Sequence, residues 1–153
     1  MARLWNKNIS CTTCGRTNRL PAAAEGTPRC GACGTALPWI TDAGDVDFAQ
    51  IAEQADPFVL VDLWATWCGP CRRVSPALEQ VARELAGQVK LVKVDVDASP
   101  RLAQRFQVQA VPTLLILDHG TEIARQAGAA PATELRRWAE ETIAVRRTAR
   151  PAA

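Results

Sequence analysis

Trp64-Ala65-Thr66-Trp67-Cys68-Gly69-Pro70-Cys71-Arg72 lies between two segments of different period. Before it, Phe58-Val59-Leu60-Val61-Asp62-Leu63 is an apolar run whose length and β-branched content suit a buried strand. After it, Val74, Leu78, Val81 and Leu85 fall on one face of a helix. Cys68 and Cys71 therefore sit where a buried strand ends and a helix begins. Helix N-termini carry unpaired N–H groups and a partial positive charge, which stabilise a thiolate. Thiol pKa values in such settings fall from about 8.5 to roughly 3.5–7.5. Pro70 suits the first turn because it has no N–H to leave unpaired. Two thiols two residues apart at such a turn can close and reopen a disulfide. An isolated CxxC could also be half of a structural metal site, but the preceding strand and following helix favour a redox dithiol.

The other four cysteines form two more CxxC pairs, Cys11/Cys14 and Cys30/Cys33, with fifteen residues between them. That spacing is within the range of four-cysteine zinc sites. Each pair can place two sulfurs on one side of a metal, and two pairs complete a tetrahedron. Gly15 and Gly34 directly follow the second cysteine of each pair, where a tight turn would leave backbone N–H groups to point at the sulfurs. Two redox pairs or two local disulfides are the alternative. Leu20, Pro21 and a few alanines offer little core between the pairs, so metal is expected to supply the folding energy. Residues 1–37 read as a zinc ribbon.

From Trp39 the pattern changes. Trp39-Ile40-Thr41 reads as a short strand, and Phe48, Ile51, Ala52 and Ala55 as a helix face with Asp45 as its N-cap. Gly87 ends the helix that follows the dithiol, and Val89–Asp95 alternates as a strand. Ser99-Pro100 reads as the cap and first turn of a helix carrying Leu102, Ala103 and Phe106. Thr113–Leu117 reads as a buried strand, turning at Asp118-His119-Gly120 into a hairpin partner over Glu122–Gln126. Pro131 opens a last helix with Leu135, Trp138, Ala139 and Ile143 on its inner face, and residues 147–153 read as a loose basic tail. The order is β-α-β-α-β-α-β-β-α, an α/β chain with a mixed sheet. Topology alone does not select among the folds of this kind.

The chain has 153 residues, enough for one domain or a domain with an appendage; it is 48% hydrophobic and 22% charged, which suits a globular core. No apolar run reaches the length of a membrane span. The first ten residues lack the apolar stretch of a secretory signal, so a cytoplasmic location is expected. Net charge is +2, divided as +4 over residues 1–37 and −2 over the rest. Four thiolates on one Zn²⁺ would halve the ribbon's charge, and no aromatics are interleaved for base stacking, so nucleic-acid binding is not expected.

The line Val61-Asp62-Leu63-Trp64-Ala65-Thr66-Trp67-Cys68-Gly69-Pro70-Cys71-Arg72 resembles the active-site line of the thioredoxin family. The likeness extends from Trp39 to about Ala144, and the preceding ribbon resembles the bacterial family members that carry an N-terminal zinc domain. The resemblance implies a thioredoxin domain over 38–146 and a reducing thiol-disulfide oxidoreductase. Cys68 would attack protein disulfides from a position nearer solvent, and Cys71, one turn deeper, would resolve the mixed disulfide. Asp62 shares a strand face with Leu60, in a sheet expected to be covered on both sides; burial would raise its pKa. In the family the matching aspartate accepts the proton of the resolving thiol. Lys93 matches the family lysine beside it, its alternative being an edge-facing lysine. Pro112 matches the family's cis-proline, and the backbone at Val111 would pair with an extended substrate. Trp67, Gly69, Pro70, Ala110 and Gly128 would complete a flat apolar rim, Ala110 standing where the family usually has Gly. Arg72 keeps a positive charge near the thiolate where lysine is common; Trp64 reads as packing and His119 as a turn residue. The resemblance further implies one Zn²⁺, no bound organic cofactor, protein disulfides as substrates, and an NADPH-dependent flavin-containing thioredoxin reductase as electron donor. Two rivals are a disulfide oxidase or isomerase, disfavoured by the Gly-Pro pair, and a redox-regulated zinc-dependent binding or holdase protein.

Overall fold

A computed structural model describes residues 7–149 of the chain. Strands β1 (Lys7–Ser10) and β2 (Thr17–Leu20) form a small antiparallel hairpin. The main sheet holds β3 (Trp39–Asp42), β4 (Phe58–Trp64), β5 (Val89–Asp95), β6 (Thr113–Asp118) and β7 (Thr121–Ala127). Their order is β3-β5-β4-β6-β7. β5 runs parallel to β3 and β4, whereas β6 is antiparallel to both β4 and β7. Helices α1 (Gly69–Glu84), α2 (Pro100–Arg105) and α3 (Ala132–Ala149) complete it, with a short π-helix at Ala49–Glu53.

Alternation along β4 splits the core in two. Val59, Val61 and Leu63 face one layer, with Phe48, Ile51, Val92, Val94 and Phe106. Phe58 and Leu60 face the other, packed on Val74, Leu78 and Val81 of α1 and Leu135, Ala139 and Ile143 of α3. A central strand buried on both faces needs this continuous apolar run. The β6–β7 turn falls where expected, with Asp118 closing β6 and His119 and Gly120, both at positive φ, forming the turn itself.

Three local expectations are corrected. Asp45 does not cap the helix that follows it. Its carboxylate instead accepts the Arg101 and Leu102 amides, at 3.1 and 2.9 Å, and so caps α2 from a distant loop. Ser99, in the N-cap position of α2, makes no side-chain cap bond. An ionised carboxylate is the stronger acceptor for those free amides, and it also suits the helix dipole. Third, α3 continues through Ala149, so Arg147, Thr148 and Ala149 are helical where a loose tail was expected. Residues 150–153 of that segment lie outside the described residues, as do residues 1–6 of the ribbon segment.

The ribbon is better anchored than its composition suggests. Leu20, Leu37, Cys11 and Cys30 cluster with Trp39 of β3, and Ala22 is fully buried in the main core. Trp39 Nε1 donates to the Pro21 carbonyl at 2.8 Å, and the Gly26 amide donates to the Asp56 carboxylate. Between them lies Lys90, buried completely. Its Nζ donates to the carbonyls of Ala22 (2.6 Å) and Ile51 (2.7 Å) and sits 3.8 Å from the centre of a Trp39 ring.

Candidate active site

Strand β4 delivers the chain to Ala65, whose carbonyl accepts the Cys68 amide at 3.2 Å. Cys68 then takes the N-cap position of α1 in an extended conformation, followed by Gly69 and Pro70 in the first turn. In place of the usual cap oxygen, Cys68 Sγ accepts the Cys71 amide at 3.1 Å. A helix amide aimed at sulfur favours its thiolate form. Cys68 and Cys71 are joined as a disulfide with their Cα atoms 5.3 Å apart. The expectation that Cys68 is nearer solvent is not met: the two residues are 2% and 3% exposed. What separates them is the field at the helix start and the surfaces they border.

Cys68 borders the outer face. Its Sγ lies 3.6 Å from the Val111 carbonyl oxygen, and the Val111–Pro112 peptide bond is cis. The Gly128 amide donates to the Pro112 carbonyl at 2.9 Å, with Gly128 at φ +88°. Gly69, Pro70 and Ala110 are exposed alongside, and Trp67 is 69% exposed. Trp67 is held in place by its Nε1, which donates to Asp97 at 2.9 Å. Sequence reasoning missed Asp97. No local pattern marks it; only its position after β5, in the loop beside the dithiol, brings it to the indole. Trp67, Val96, Ala110 and Val111 line a shallow groove of about 210 Å³.

Cys71 borders the inner side. With Asp62, Lys93, Ser75, Arg72 and Asp42 it lines a cavity of about 270 Å³. Asp62 is 1% exposed, and its Oδ1 has no hydrogen-bond partner among the described residues. Burial pushes its carboxyl up from the ordinary 3.8 to about 6; Lys93 opposes the rise and Glu79 adds to it. Lys93 is the direct neighbour of Asp62 in the β4–β5 register. Its ammonium, however, donates to Ser75 Oγ at 2.7 Å and to Glu79 Oε1 at 3.3 Å. Trp64 lines the same cavity, half-buried, as a packing residue.

The remaining cysteines form a separate cluster. The sulfurs of Cys11, Cys14, Cys30 and Cys33 lie within 4.8 Å of one another, with Cys11–Cys33 and Cys14–Cys30 at 3.6 Å. Four sulfurs about 2.3 Å from a tetrahedral metal are about 3.8 Å apart, so this set fits one ion. The backbone amides of Cys33 and Ala32, with the Asn18 side chain, pull the Cys30 thiol down to about 6. The Thr35 hydroxyl and backbone lower Cys33 as well. Such donors favour the thiolate, the form that binds metal, at Cys30 and Cys33, whereas at Cys14 the Arg16 amide is outweighed by the neighbouring sulfurs and burial, and that thiol is pushed up to about 11. Gly15 and Gly34 have positive φ as expected; their own amides donate to the carbonyls of Cys11 and Cys30, and the amides that follow them, of Arg16 and Thr35, point at the Cys14 and Cys33 sulfurs. Inside the second knuckle the Ala32 amide also lies 3.4 Å from Cys30 Sγ.

A strand–helix junction carrying a two-residue dithiol, set against a cis-proline loop in a five-stranded mixed sheet, defines a thiol-disulfide exchange protein. The sequence profile of the thioredoxin family, described as Thioredoxin, matches residues 39–141. Thioredoxin C-3 of Corynebacterium nephridii is 37% identical over 138 residues, covering 88% of this chain and 94% of that protein. This coverage exceeds what residues 39–153 can supply, so the match reaches into the four-cysteine segment. The thioredoxin of Haemophilus influenzae is 40% identical over 99 residues, covering 65% of this chain and 92% of that one. A bifunctional thioredoxin reductase/thioredoxin of Mycobacterium leprae is 44% identical over 90 residues, 59% of this chain and 19% of its own length. The chain belongs to the thioredoxin family and is a protein-disulfide reductase by class. Among the described residues no helix is long and apolar enough to cross a membrane.

Proposed function

We propose that Cys68 is the attacking thiol and Cys71 the resolving thiol in the reduction of protein disulfides. The observation that carries this assignment is the Cys71 amide on Cys68 Sγ, 3.1 Å away at the start of α1. In the reduced protein the Cys68 thiolate attacks one sulfur of a substrate disulfide. A mixed disulfide forms and the other substrate sulfur leaves as thiolate. Cys71 then loses its proton and attacks Cys68 Sγ, which releases the second substrate thiolate and closes the Cys68–Cys71 disulfide. Asp62 takes the Cys71 proton. Both line the inner cavity, whose volume admits the water needed to carry it. Lys93 balances the charge of that cavity.

The substrate lies across Trp67, Gly69, Pro70, Ala110 and Gly128 as an extended segment, pairing with the backbone at Val111 beside Pro112. Such main-chain recognition over an apolar rim selects weakly among proteins. Two electrons to reopen the disulfide come from NADPH through a flavin-containing thioredoxin reductase, in the cytoplasm. The metal held by Cys11, Cys14, Cys30 and Cys33 is Zn²⁺, which four thiolates suit. It supplies folding energy to residues 1–37, ahead of a catalytic domain over 38–146. Cys14 and Cys33 are exposed, which favours a second role for the ribbon as an oxidant-responsive element.

Trapping tests the order of the two thiols. Cys71→Ser should hold substrate proteins on Cys68 as stable mixed disulfides, seen as reductant-sensitive bands, while Cys68→Ser should hold almost none. Equal trapping by the two variants overturns the assignment.

A further inference from the structure

Asp62 and Lys93 are side by side in the β4–β5 register and line one cavity, yet Asp62 Oδ1 is without a hydrogen-bond partner among the described residues. A carboxylate and an ammonium so placed would ordinarily pair. The ammonium is instead drawn toward α1, where Ser75 Oγ and Glu79 Oε1 accept its hydrogen bonds. Cys71, Ser75 and Glu79 recur every four residues, so they form one stripe of α1 and that stripe faces β5. We propose that Ser75 and Glu79 are positioning residues of the dithiol site, which set the proton affinity of Asp62 by withholding Lys93 from it.

The inference rests on the reading of Asp62 as the proton acceptor for Cys71. A carboxylate fully paired with an ammonium binds protons weakly and makes a poor base for a thiol. One left short of partners, with a second carboxylate in its field, binds them more tightly. The charged and titratable groups around Asp62 come from four elements. They are Lys93 on β5, Glu79, Arg72 and Cys71 on α1, Asp42 on β3, and Lys7 on β1, which pairs with Asp42 at 3.2 Å. Arg72 is occupied by the Thr66 carbonyl at 3.2 Å, and β6 presents Leu114 opposite Asp62. Lys93 stands between two carboxylates, Asp62 beside it in the register and Glu79 on α1, so its placement is where the site can be adjusted.

Ser75 is half-buried, and the Glu79 side chain is 37% exposed, so substituting either leaves the core intact. In Glu79→Gln a repelling charge is lost and Lys93 is freed to turn toward Asp62; in Ser75→Ala only the second change occurs. Both lower the Asp62 midpoint. The disulfide form of the full chain is titrated while the Asp62 carboxyl carbon is followed by NMR. Turnover with insulin, NADPH and thioredoxin reductase is measured on the same samples across mildly acidic and neutral pH. The midpoint should fall by about one pH unit in Ser75→Ala/Glu79→Gln, less in each single variant, and rise in Lys93→Gln. The acid limb of turnover should move with it. An unmoved midpoint in the double variant overturns the proposal and leaves Ser75 and Glu79 as an ordinary surface ion-pair site. A midpoint that falls while the turnover profile stays put supports the positioning by Ser75 and Glu79. It would overturn instead the role of Asp62 as proton acceptor.

Discussion

The cavity behind the dithiol and the seam beneath the ribbon each contain one buried ionisable side chain, and the two are treated in opposite ways. Lys90, in the seam, has two carbonyls and an indole face around its ammonium. Asp62, in the cavity, has an oxygen with no hydrogen-bond partner among the described residues. Burial acts against the charge of both, pushing Lys90 down to about 7 and Asp62 up to about 6. A fully partnered buried charge fixes geometry, because every competing arrangement must leave its partners bare. A buried acid that lacks a partner is destabilising where it stands, and persists where a proton must come and go. The seam is built as structure and the cavity as chemistry.

Removing the proposed metal tests the seam most severely. Structural zinc sites contribute on the order of 10 kcal/mol to folding, more than the few contacts of the seam can replace. Treatment with a strong chelator should therefore abolish hydrogen-exchange protection in β1 and β2 while β4, β5 and β6 keep theirs. Equal loss in both regions would mean that the ribbon and the sheet form one cooperative unit.

Asp62→Asn tests the cavity. The folded pKa of Asp62 lies above its unfolded value, so its favourable contribution is full below pH 3.8 and is lost as pH rises through about 6. The variant should gain up to about 3 kcal/mol in urea unfolding at mildly alkaline pH, nothing in acid, and lose turnover. A stability difference independent of pH would contradict a buried, titrating carboxyl.

Lys90→Met should have the smallest effect and the opposite sign. Two carbonyls lose their donor, costing about 2 kcal/mol at alkaline pH, where no ammonium is buried. The folded pKa of Lys90 lies below its unfolded value, so the burial penalty is absent above pH 10.5 and complete below about 7. The deficit of the variant should therefore widen from neutral toward alkaline pH, as read by urea unfolding, with turnover unchanged.

Much of this was legible in the chain because it was local. The run Phe58–Leu63, the stripe from Val74 to Leu85 and the paired cysteines each carry their own periodicity or spacing. Asp62 was legible for the same reason, since it shares a face with Leu60. What escaped depended on partners far apart in sequence. Asp45 caps a helix more than fifty residues away, Asp97 reaches Trp67 from another loop, and Lys93 prefers α1 to its strand neighbour. Lys90 left a trace: it occupies the same strand face as Val92 and Val94, where a lysine must be buried or the strand exposed. The Pro21–Gly26 segment, docked through its carbonyls and the small side chains of Ala22 and Ala23, left none.

The four-cysteine hairpin also bears on how the sheet ends. β7 is one margin, and it displays Glu122 and Arg125 to solvent, charges that discourage another strand from adding on. β3 is the other margin. It is short and largely apolar, and its only charge, Asp42, is engaged by Lys7 of the hairpin, while Trp39 is packed under Leu20 and Leu37. The hairpin thus acts as the guard of an edge that has little protection of its own. Stripped of metal, the protein would first betray the loss by sticking to copies of itself at high concentration, with its disulfide chemistry still intact.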